Sequence, residues 1–498
     1  MNWLNRRDFL RDSAALAAAL AGAGALDPSA RADEEKAALK KGDVNDQLRI
    51  ACVGVHGQGR AHVANWAGKN NCVVATICDV DEGVVGPAMK SAEDGQKKTP
   101  KYEKDIRKVL EDKSIDIVSI ATPNHWHALA AIWAMQAGKD VYVEKPVSHN
   151  VREGRIMVET ARKLGRICQT GTQSRSMTGM RESIALLHSG KLGKVQTAVG
   201  VCYKRRGSIG KVSGPTEPPK TCDYDLWCGP AEKKPLMRQR LHYDWHWVWN
   251  TGNGDLGNQG IHEMDKARWG LNKNELPRSV ISVGGRFGYI DDGETANTQI
   301  CVFDYGDAQL IFEVRGLASD SPYPHGVGKD QKRGGNFVGN IWFCENGVLV
   351  CPSYDSGIAF DKDGKEIARF RGGSYLDHFT NFVKAVRSRK HEELHADILE
   401  GHLSSALCHL GNISYRLGTL TPFNKKTQAF GDNKEAAETF ARMVEHLRDN
   451  KVPLDGTEYR LGRKLLIDNR TETFTNDKEA NNLLTREYRK GFEVPSKV

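Results

Sequence analysis

Apolar residues in this chain follow two rhythms, and the change between them divides the sequence. From residue 48 to about 171, short apolar runs at 49–55, 73–78, 115–121, 140–143 and 166–169 alternate with helically periodic stretches at 61–67, 106–111, 126–137 and 152–164. Strands separated by amphipathic helices predict a parallel sheet with helices on both faces. Residues 176–261 read as richer in loops, with a Gly/Pro-rich stretch at 206–222 and an alternating run of Trp245, Trp247 and Trp249. Runs at 278–289, 298–303, 309–314, 340–344 and 348–350 then predict strands, and Asn346-Gly347 and Asp363-Gly364 predict hairpin turns between them. Neighbouring strands joined by tight turns make an antiparallel sheet. Helical period returns at 375–387, 396–416 and near 435–448, while 316–336 is long, polar and Gly-rich, a lid or a passive surface loop.

The first residues fit neither rhythm. Arg6-Arg7 precede a weakly apolar, Ala/Gly-rich stretch to Leu26, and Ala30-Arg31-Ala32 offers an A-x-A cleavage site. Together these predict a twin-arginine signal over 1–32, hence an extracytoplasmic, periplasmic location reached through the twin-arginine export machinery with the protein already folded. The apolar run is shorter than the roughly 20 residues a spanning helix needs, so no stable membrane anchor is expected. Residues 33–46 read as a polar linker.

At 498 residues the chain is long enough for two or three domains, and 39% hydrophobic with 27% charged residues describes an ordinary soluble protein. The net charge of +8 is dispersed, with no Lys/Arg block of the kind that binds nucleic acid. Eleven cysteines without CxxC or zinc spacing predict neither a metal site nor a disulfide framework; Cys222 and Cys228 are the pair close enough in sequence to suspect.

The first predicted strand runs into Gly54-Val55-His56-Gly57-Gln58-Gly59 and then a helix. This is nearly G-x-G-x-x-G, with His56 at the second glycine position and Gly57 just after it. Glycines are needed there because a pyrophosphate sits against bare backbone N–H groups at a helix N-terminus. His56 requires its Cβ to point away, or the diphosphate to shift towards Gly57. Asp79 ends the second strand, where a carboxylate binds ribose hydroxyls and repels a 2′-phosphate, so NAD is favoured over NADP.

The fourth strand leads into Ala121-Thr122-Pro123-Asn124-His125-Trp126-His127, and the next ends at Glu144-Lys145-Pro146. With a later Asn258…His262 in place of a D-x-x-x-H motif, the chain resembles the Gfo/Idh/MocA oxidoreductases up to about residue 418. The resemblance implies an α/β fold: a Rossmann dinucleotide-binding domain (47–172), then an α+β domain (173–420) with an open, mostly antiparallel sheet, and a C-terminal extension (421–498). It implies Thr122, Pro123, Asn124, His127, Glu144 and Lys145 at the cofactor, beside Gly54, His56, Gly57, Gln58, Gly59 and Asp79. Lys145 and His262 match the family's catalytic lysine and histidine, and Asn258 stands where most members have aspartate. A cation at a parallel strand end stabilises alkoxide character, and the imidazole takes the hydroxyl proton. If 258–262 is helical, Asn258 and His262 share a face; either Asp255 or Asp265 supplies the missing charge, or His262 has a lowered pKa. His125 is expected at the surface or the cofactor's edge. Tyr243, His246 and Trp247 are candidates for stacking on a sugar, the tryptophan run being equally compatible with strand core. Arg175 and Tyr203 are candidate substrate contacts.

An exported nicotinamide-dependent oxidoreductase acting on a sugar, polyol or carbohydrate derivative is the first functional expectation. Free NAD is scarce outside the cytoplasm, so the cofactor must stay bound and be regenerated in place. The family also contains NAD-dependent glycosidases, which oxidise, eliminate and re-reduce with no net redox change. A non-catalytic carbohydrate-binding protein is the third alternative. A homo-oligomer is expected, to which the C-terminal extension could contribute a contact.

Overall fold

A computed structural model describes residues 46–319, 337–425 and 427–498. The signal at 1–32, nearly all of the linker and most of the 316–336 stretch lie outside the described residues.

Six strands form the first sheet: β1 (Leu48–Val53), β2 (Cys72–Cys78), β3 (Lys101–Glu103), β4 (Ile117–Ile120), β5 (Asp140–Val143) and β6 (Cys168–Thr170). Their order is β3-β2-β1-β4-β5-β6 and every pairing is parallel. The order reverses between β1 and β4, so a crevice opens outside their C-terminal ends. Helices α1 (Gln58–Trp66), α2 (Gly86–Gln96), α3 (Ile106–Glu111), α4 (Asn124–Gln136) and α5 (Val151–Lys163) cover the faces. Strand β4 is buried along its whole length, as a sheet covered on both sides requires. Strand β3 and helix α2 went unpredicted: β3 is a three-residue polar edge strand, and α2 carries only Ala88 and Ala92 as buried residues, too little for an apolar period to show.

Helix α6 (Thr178–His188) leads to the second sheet. Its strands are β7 (Val195–Tyr203), β8 (Ser279–Gly285), β9 (Thr298–Asp304), β10 (Gln309–Arg315), β11 (Phe337–Cys344), β12 (Gly347–Cys351), β13 (Ser356–Asp361) and β14 (Glu366–Arg371), with a parallel β7/β10 pair among antiparallel neighbours. Both Asn-Gly and Asp-Gly pairs fall at hairpin turns. Strand β7 corrects the reading of 176–261 as loop: it is a central strand, buried on both faces, and so lacks the polar alternation of an exposed one. The tryptophan run is a correction too, because Asp244–Trp247 is a 3-10 turn rather than a strand.

Between them lie α7 (Tyr224–Cys228), α8 (Gly254–Asn258) and α9 (Gly260–Gly270), then α10 (Tyr375–Ser388) and α11 (Ile398–Arg416). Helix α11 is buried on all sides from Gly401 to Tyr415, packed against α5 of the first domain, α9 and β8. It is the common spine of the two domains. Helix α10 inserts Phe379 and Phe382 between Trp66 and Tyr142 of the first domain.

Residues beyond 420 complete this sheet and both domains. Strand β15 (Thr419–Pro422) pairs with β16 (Glu458–Leu461), while β16 and β17 (Leu465–Asp468) pair with β8, and β18 (Thr473–Phe474) pairs with β17. Met443 and Leu447 of α12 (Lys434–Asp449) pack on the outer face of β8 to β10. After α13 (Lys478–Asn482) the chain returns to the first domain, where Phe492 lies edge-on to Trp126 and Arg152 N–H donates to the Leu484 carbonyl. Among the described residues no helix is long and apolar enough to cross a membrane, and Cys222 and Cys228 are free thiols.

The Phe379 ring is fully buried, stacked on Tyr142 at 4.8 Å and edge-on to Trp66 at 4.6 Å. Phe379→Ala should cost about 3–5 kcal/mol in denaturant unfolding through loss of buried area and the cavity left behind. Ile290→Ala, at a residue 84% exposed, should stay within about 0.5 kcal/mol of the wild type.

Candidate active site

The crevice at the β1/β4 reversal continues into a cavity of about 710 Å³ closed on its far side by the second domain. Its first wall is the β1–α1 turn. Gly54 has φ +79, and a Cβ there would lie 2.6 Å from the Thr122 amide nitrogen; at Gly59 it would meet the Gly54 carbonyl at 1.8 Å. Both positions admit glycine alone, one for the turn and one for close helix–strand packing. Gly57 faces open space and lines the cavity. Helix α1 begins there with no side-chain cap and no acidic residue in its first turn, so its N–H groups and positive dipole end open into the cavity. The His56 side chain lines the cavity, its ring 4.4 Å from that of His242. A diphosphate fits this cradle beside Gly57. Asp79 accepts N–H bonds from Val55 (2.7 Å) and Asp81 (3.0 Å), which leaves each carboxylate oxygen a second lone pair for ribose hydroxyls.

Strand ends β4 and β5 supply the second wall. His127 spans them, its Nδ1 2.6 Å from the Pro146 carbonyl and its Nε2 2.8 Å from the Thr122 carbonyl, which ties the two turns together. Asn124 Nδ2 donates to Asn253 Oδ1 in the second domain. His125 is a correction: it is buried, its ring nitrogens against the carbonyls of Trp227 and Thr251, behind the cavity wall rather than at its edge.

Glu144 is buried and receives three groups: His62 Nε2 at 3.0 Å, Gln58 Nε2 at 3.2 Å and the Lys145 N–H at 3.1 Å. Burial alone would raise its pKa, but the His62 hydrogen bond and charge, with Lys145, bring it down to about 2. Lys145 Nζ donates to the Asn258 carbonyl at 2.8 Å, and burial pulls its pKa below the ordinary value while Glu144 opposes that pull.

His262 stands in the first turn of α9, 8% exposed. Neither ring nitrogen is engaged among the described residues, and the buried Nδ1 is without a partner. Desolvation first, and the Lys145 charge second, hold its pKa well below 6.5, so the imidazole is neutral at pH 7. The 258–262 stretch is not one helix: α8 ends at Asn258 and α9 begins at Gly260, so Asn258 contributes its carbonyl to Lys145 rather than its amide to the imidazole. Neither carboxylate substitutes. Asp255 pairs with Arg206, and Asp265 with Arg175 and Ser404.

Two candidate substrate contacts lie away from the cavity. Arg175 is buried in ion pairs with Asp265 and Glu400, and the Tyr203 hydroxyl donates to buried Glu313 beneath Arg315. Polar side chains are costly to bury unpaired, and these pairs are what hold them inside. Tyr243 and His246 line the cavity; of the three tryptophans that the sequence offers for stacking, Trp245 lines it too, stacked on His246 at 3.6 Å, whereas Trp247 packs under Arg206 and Trp249 lies outside it. Lys204, Arg206, Gln259, Tyr354 and Tyr375 line it without having been singled out in the sequence. Gln259 ties two of the cavity's groups, accepting from Lys204 Nζ at 2.9 Å and donating to the Tyr354 hydroxyl, and also donates to the buried Glu263.

Residues 48–172 match the model described as oxidoreductase family, NAD-binding Rossmann fold, and residues 184–352 match the family's C-terminal alpha/beta domain. The chain belongs to the Gfo/Idh/MocA oxidoreductase family. Its first domain is a NAD-binding Rossmann domain, and the sheet order, glycine cradle and acidic β2 end agree with that assignment. Among curated relatives, a glycosyl hydrolase family 109 protein of Saccharopolyspora erythraea is 28% identical over 269 residues, 51% of this chain and 52% of that protein. An α-N-acetylgalactosaminidase of Shewanella oneidensis is 29% identical over 179 residues, 34% of this chain and 39% of that one. The chain thus spans about half the length, or less, of these relatives. Solved Gfo/Idh/MocA-like folds include the WlbA dehydrogenase of Bordetella pertussis in complex with NADH and UDP-GlcNAcA (TM-score 0.55, 18% identity, 74% of this chain and 97% of that one). A levoglucosan dehydrogenase in complex with NADH and levoglucosan matches similarly (TM-score 0.55, 16% identity, 73% and 96%).

The Glu144 carboxyl titrates at about 2 in the fold against an ordinary 4.5, so the stability it contributes is present above pH 4.5 and is lost as pH falls towards 2. Glu144→Gln should therefore be less stable than the wild type at neutral pH by about 3 kcal/mol. That gap should close through the same window; urea unfolding of both proteins that shows a constant gap between about pH 5 and pH 2 would contradict the assignment.

Proposed function

We propose that this protein is an exported NAD-dependent enzyme that oxidises a hydroxyl-bearing carbon of a sugar, polyol or carbohydrate derivative, with the cofactor kept bound through turnover. The observation that carries this reading is the meeting of Lys145 and the unengaged His262 in the same cavity as the uncapped α1 N-terminus. NAD supplies the hydride acceptor. Neutral His262 takes the substrate's hydroxyl proton, while Lys145, held against the Asn258 carbonyl, donates a hydrogen bond to the same oxygen and stabilises its developing negative charge. The carbon loses hydride, the oxygen loses its proton, and a carbonyl forms. To complete a cycle with the cofactor retained, a second, carbonyl-bearing sugar takes up the hydride and a proton, so that one molecule is oxidised and another reduced. Trp245, His246 and Tyr243 offer flat faces for a sugar ring.

Retention is supported by contacts that close the cavity at two places. Near Asp79, His242 of the second domain bonds Asp81 at 2.7 Å beside His56 and Thr221 also bonds Asp81; near Glu144, Tyr375 meets Gln58. A retained cofactor suits a folded, twin-arginine route of export. A second reading, transient oxidation followed by elimination of the glycosidic bond and return of the hydride, is favoured by the glycosidase names of the curated relatives.

Denaturing the exported protein and weighing the released small molecules should recover NAD near one per chain. Turnover of sugars giving a product of changed oxidation state supports the first reading. Cleavage of aryl glycosides without net NADH, with solvent deuterium entering the sugar, supports the second. Lys145→Ala and His262→Ala should each reduce either activity by about 100-fold or more, and full turnover in both variants would end the proposal. Arg6→Lys with Arg7→Lys should leave the protein in the cytoplasmic fraction; unchanged export would remove the twin-arginine assignment.

A further inference from the structure

A second cavity, of about 970 Å³, lies behind the Rossmann cavity's wall, where α11, the loop after Pro146 and the C-terminal segment meet. His409, Asn412 and Arg416, spaced by three and then four residues, present one face of α11 to it. Trp249 and Asn250 come from the segment after the 3-10 turn, and Arg486 reaches in from the C-terminal segment. Asn253 separates the two cavities: its Oδ1 accepts from Asn124 on the dinucleotide side, and its Nδ2 donates to the His149 carbonyl on this one.

The cationic groups here are under-used. Arg416 is exposed at the cavity mouth, lies over the Trp249 ring at 5.2 Å and makes no hydrogen bond or ion pair among the described residues, so its guanidinium N–H groups are open to solvent or to a ligand. Arg486 donates to the Asn250 carbonyl (2.8 Å) and Oδ1 (2.7 Å), both neutral acceptors, and meets no carboxylate. His409 is 3% exposed with an unpartnered Nδ1, and His149 Nε2 is likewise unpartnered. Four carboxylates also line the cavity. Glu232, Glu294 and Glu487 are exposed, and Glu294 and Asp292 already accept backbone N–H groups of Trp249 and Val212. The remaining cations are spoken for: Arg489 pairs with Asp225, and Arg238 donates to the carbonyls of Arg240 and Leu241. Desolvation lowers the pKa of both Arg416 and Arg486, and the opposing charges of Glu294 at the first and of Glu153 and Glu232 at the second do not offset it.

We infer that this cavity binds a small hydroxylated oxyanion, its carboxylate or phosphate held by the Arg416 and Arg486 guanidinium groups and its hydroxyls by Asn250 and Asn412. Guanidinium forks match planar or tetrahedral oxyanions, and the Trp249 face supplies flat apolar surface beside them. The site is separate from the NAD cavity and requires no turnover.

Calorimetric titration of the purified full chain with glucuronate, glucose 6-phosphate and glucose tests it. One of the two anions should bind at one per chain, at least about tenfold more tightly than glucose; the tighter anion identifies the headgroup. Arg416→Gln, which breaks no hydrogen bond of the free protein, should weaken that anion by about tenfold or more with an unchanged Tm, and Arg416→Lys should recover part of it. Lys204→Gln, in the Rossmann-side cavity, should leave it unaltered. Absence of anion binding, equal binding of glucose, or loss through Lys204→Gln with Arg416→Gln unaffected would overturn the inference.

Discussion

A lysine at the end of a buried parallel strand needs an acceptor for its ammonium, and in this molecule the acceptor belongs to the other domain. Lys145 projects from the end of β5 and donates to the Asn258 carbonyl, at the point where α8 gives way to α9. That carbonyl is available because the helix breaks there. The same bond sets where α9 begins, and hence where His262 stands. The Glu144 carboxylate, hydrogen-bonded to His62, favours the charged form of Lys145 and opposes its desolvation. The arrangement proposed as catalytic is therefore tied to how one buried cation is satisfied.

Much of the first domain was legible because its signals are local. A glycine turn after a strand, an acidic residue at the next strand's end and Glu-Lys-Pro at a later one each depend on a few neighbouring residues, and each lines the cavity as its chemistry requires. What was not legible depends on distant pairing. Strand β7 has no polar face because the sheet buries both sides, so its apolar residues gave no period. Arg175 and Tyr203 looked available for a substrate, yet Asp265 and Glu313, far along the chain, claim them. Tyr354 enters the cavity from just before β13 and Tyr375 from the start of α10, with no motif around them to mark their roles.

The departure from the family pattern at Asn258 finds a physical account in the same geometry. An aspartate side chain would add charge beside an imidazole, whereas here the main chain at 258 does the holding and the imidazole stays neutral through burial. A neutral ring with a free nitrogen is ready to accept a proton without first losing one. Loss of the acid thus alters the starting protonation state of the proposed base and leaves its position unchanged.

The C-terminal segment carries a consequence for biogenesis. Phe492 and Val494 belong to the same apolar cluster as Ala51, Val118 and Val141 of the first sheet, and Asn150 bonds Tyr488 across 338 residues of chain. A nascent Rossmann half emerging from the ribosome cannot seal its own interior, since the pieces that cap α4 are translated only after the whole second sheet. Maturation of the nucleotide fold is in this way deferred until the other domain has been made, and a product truncated before these pieces would carry its defect in the half that was made first.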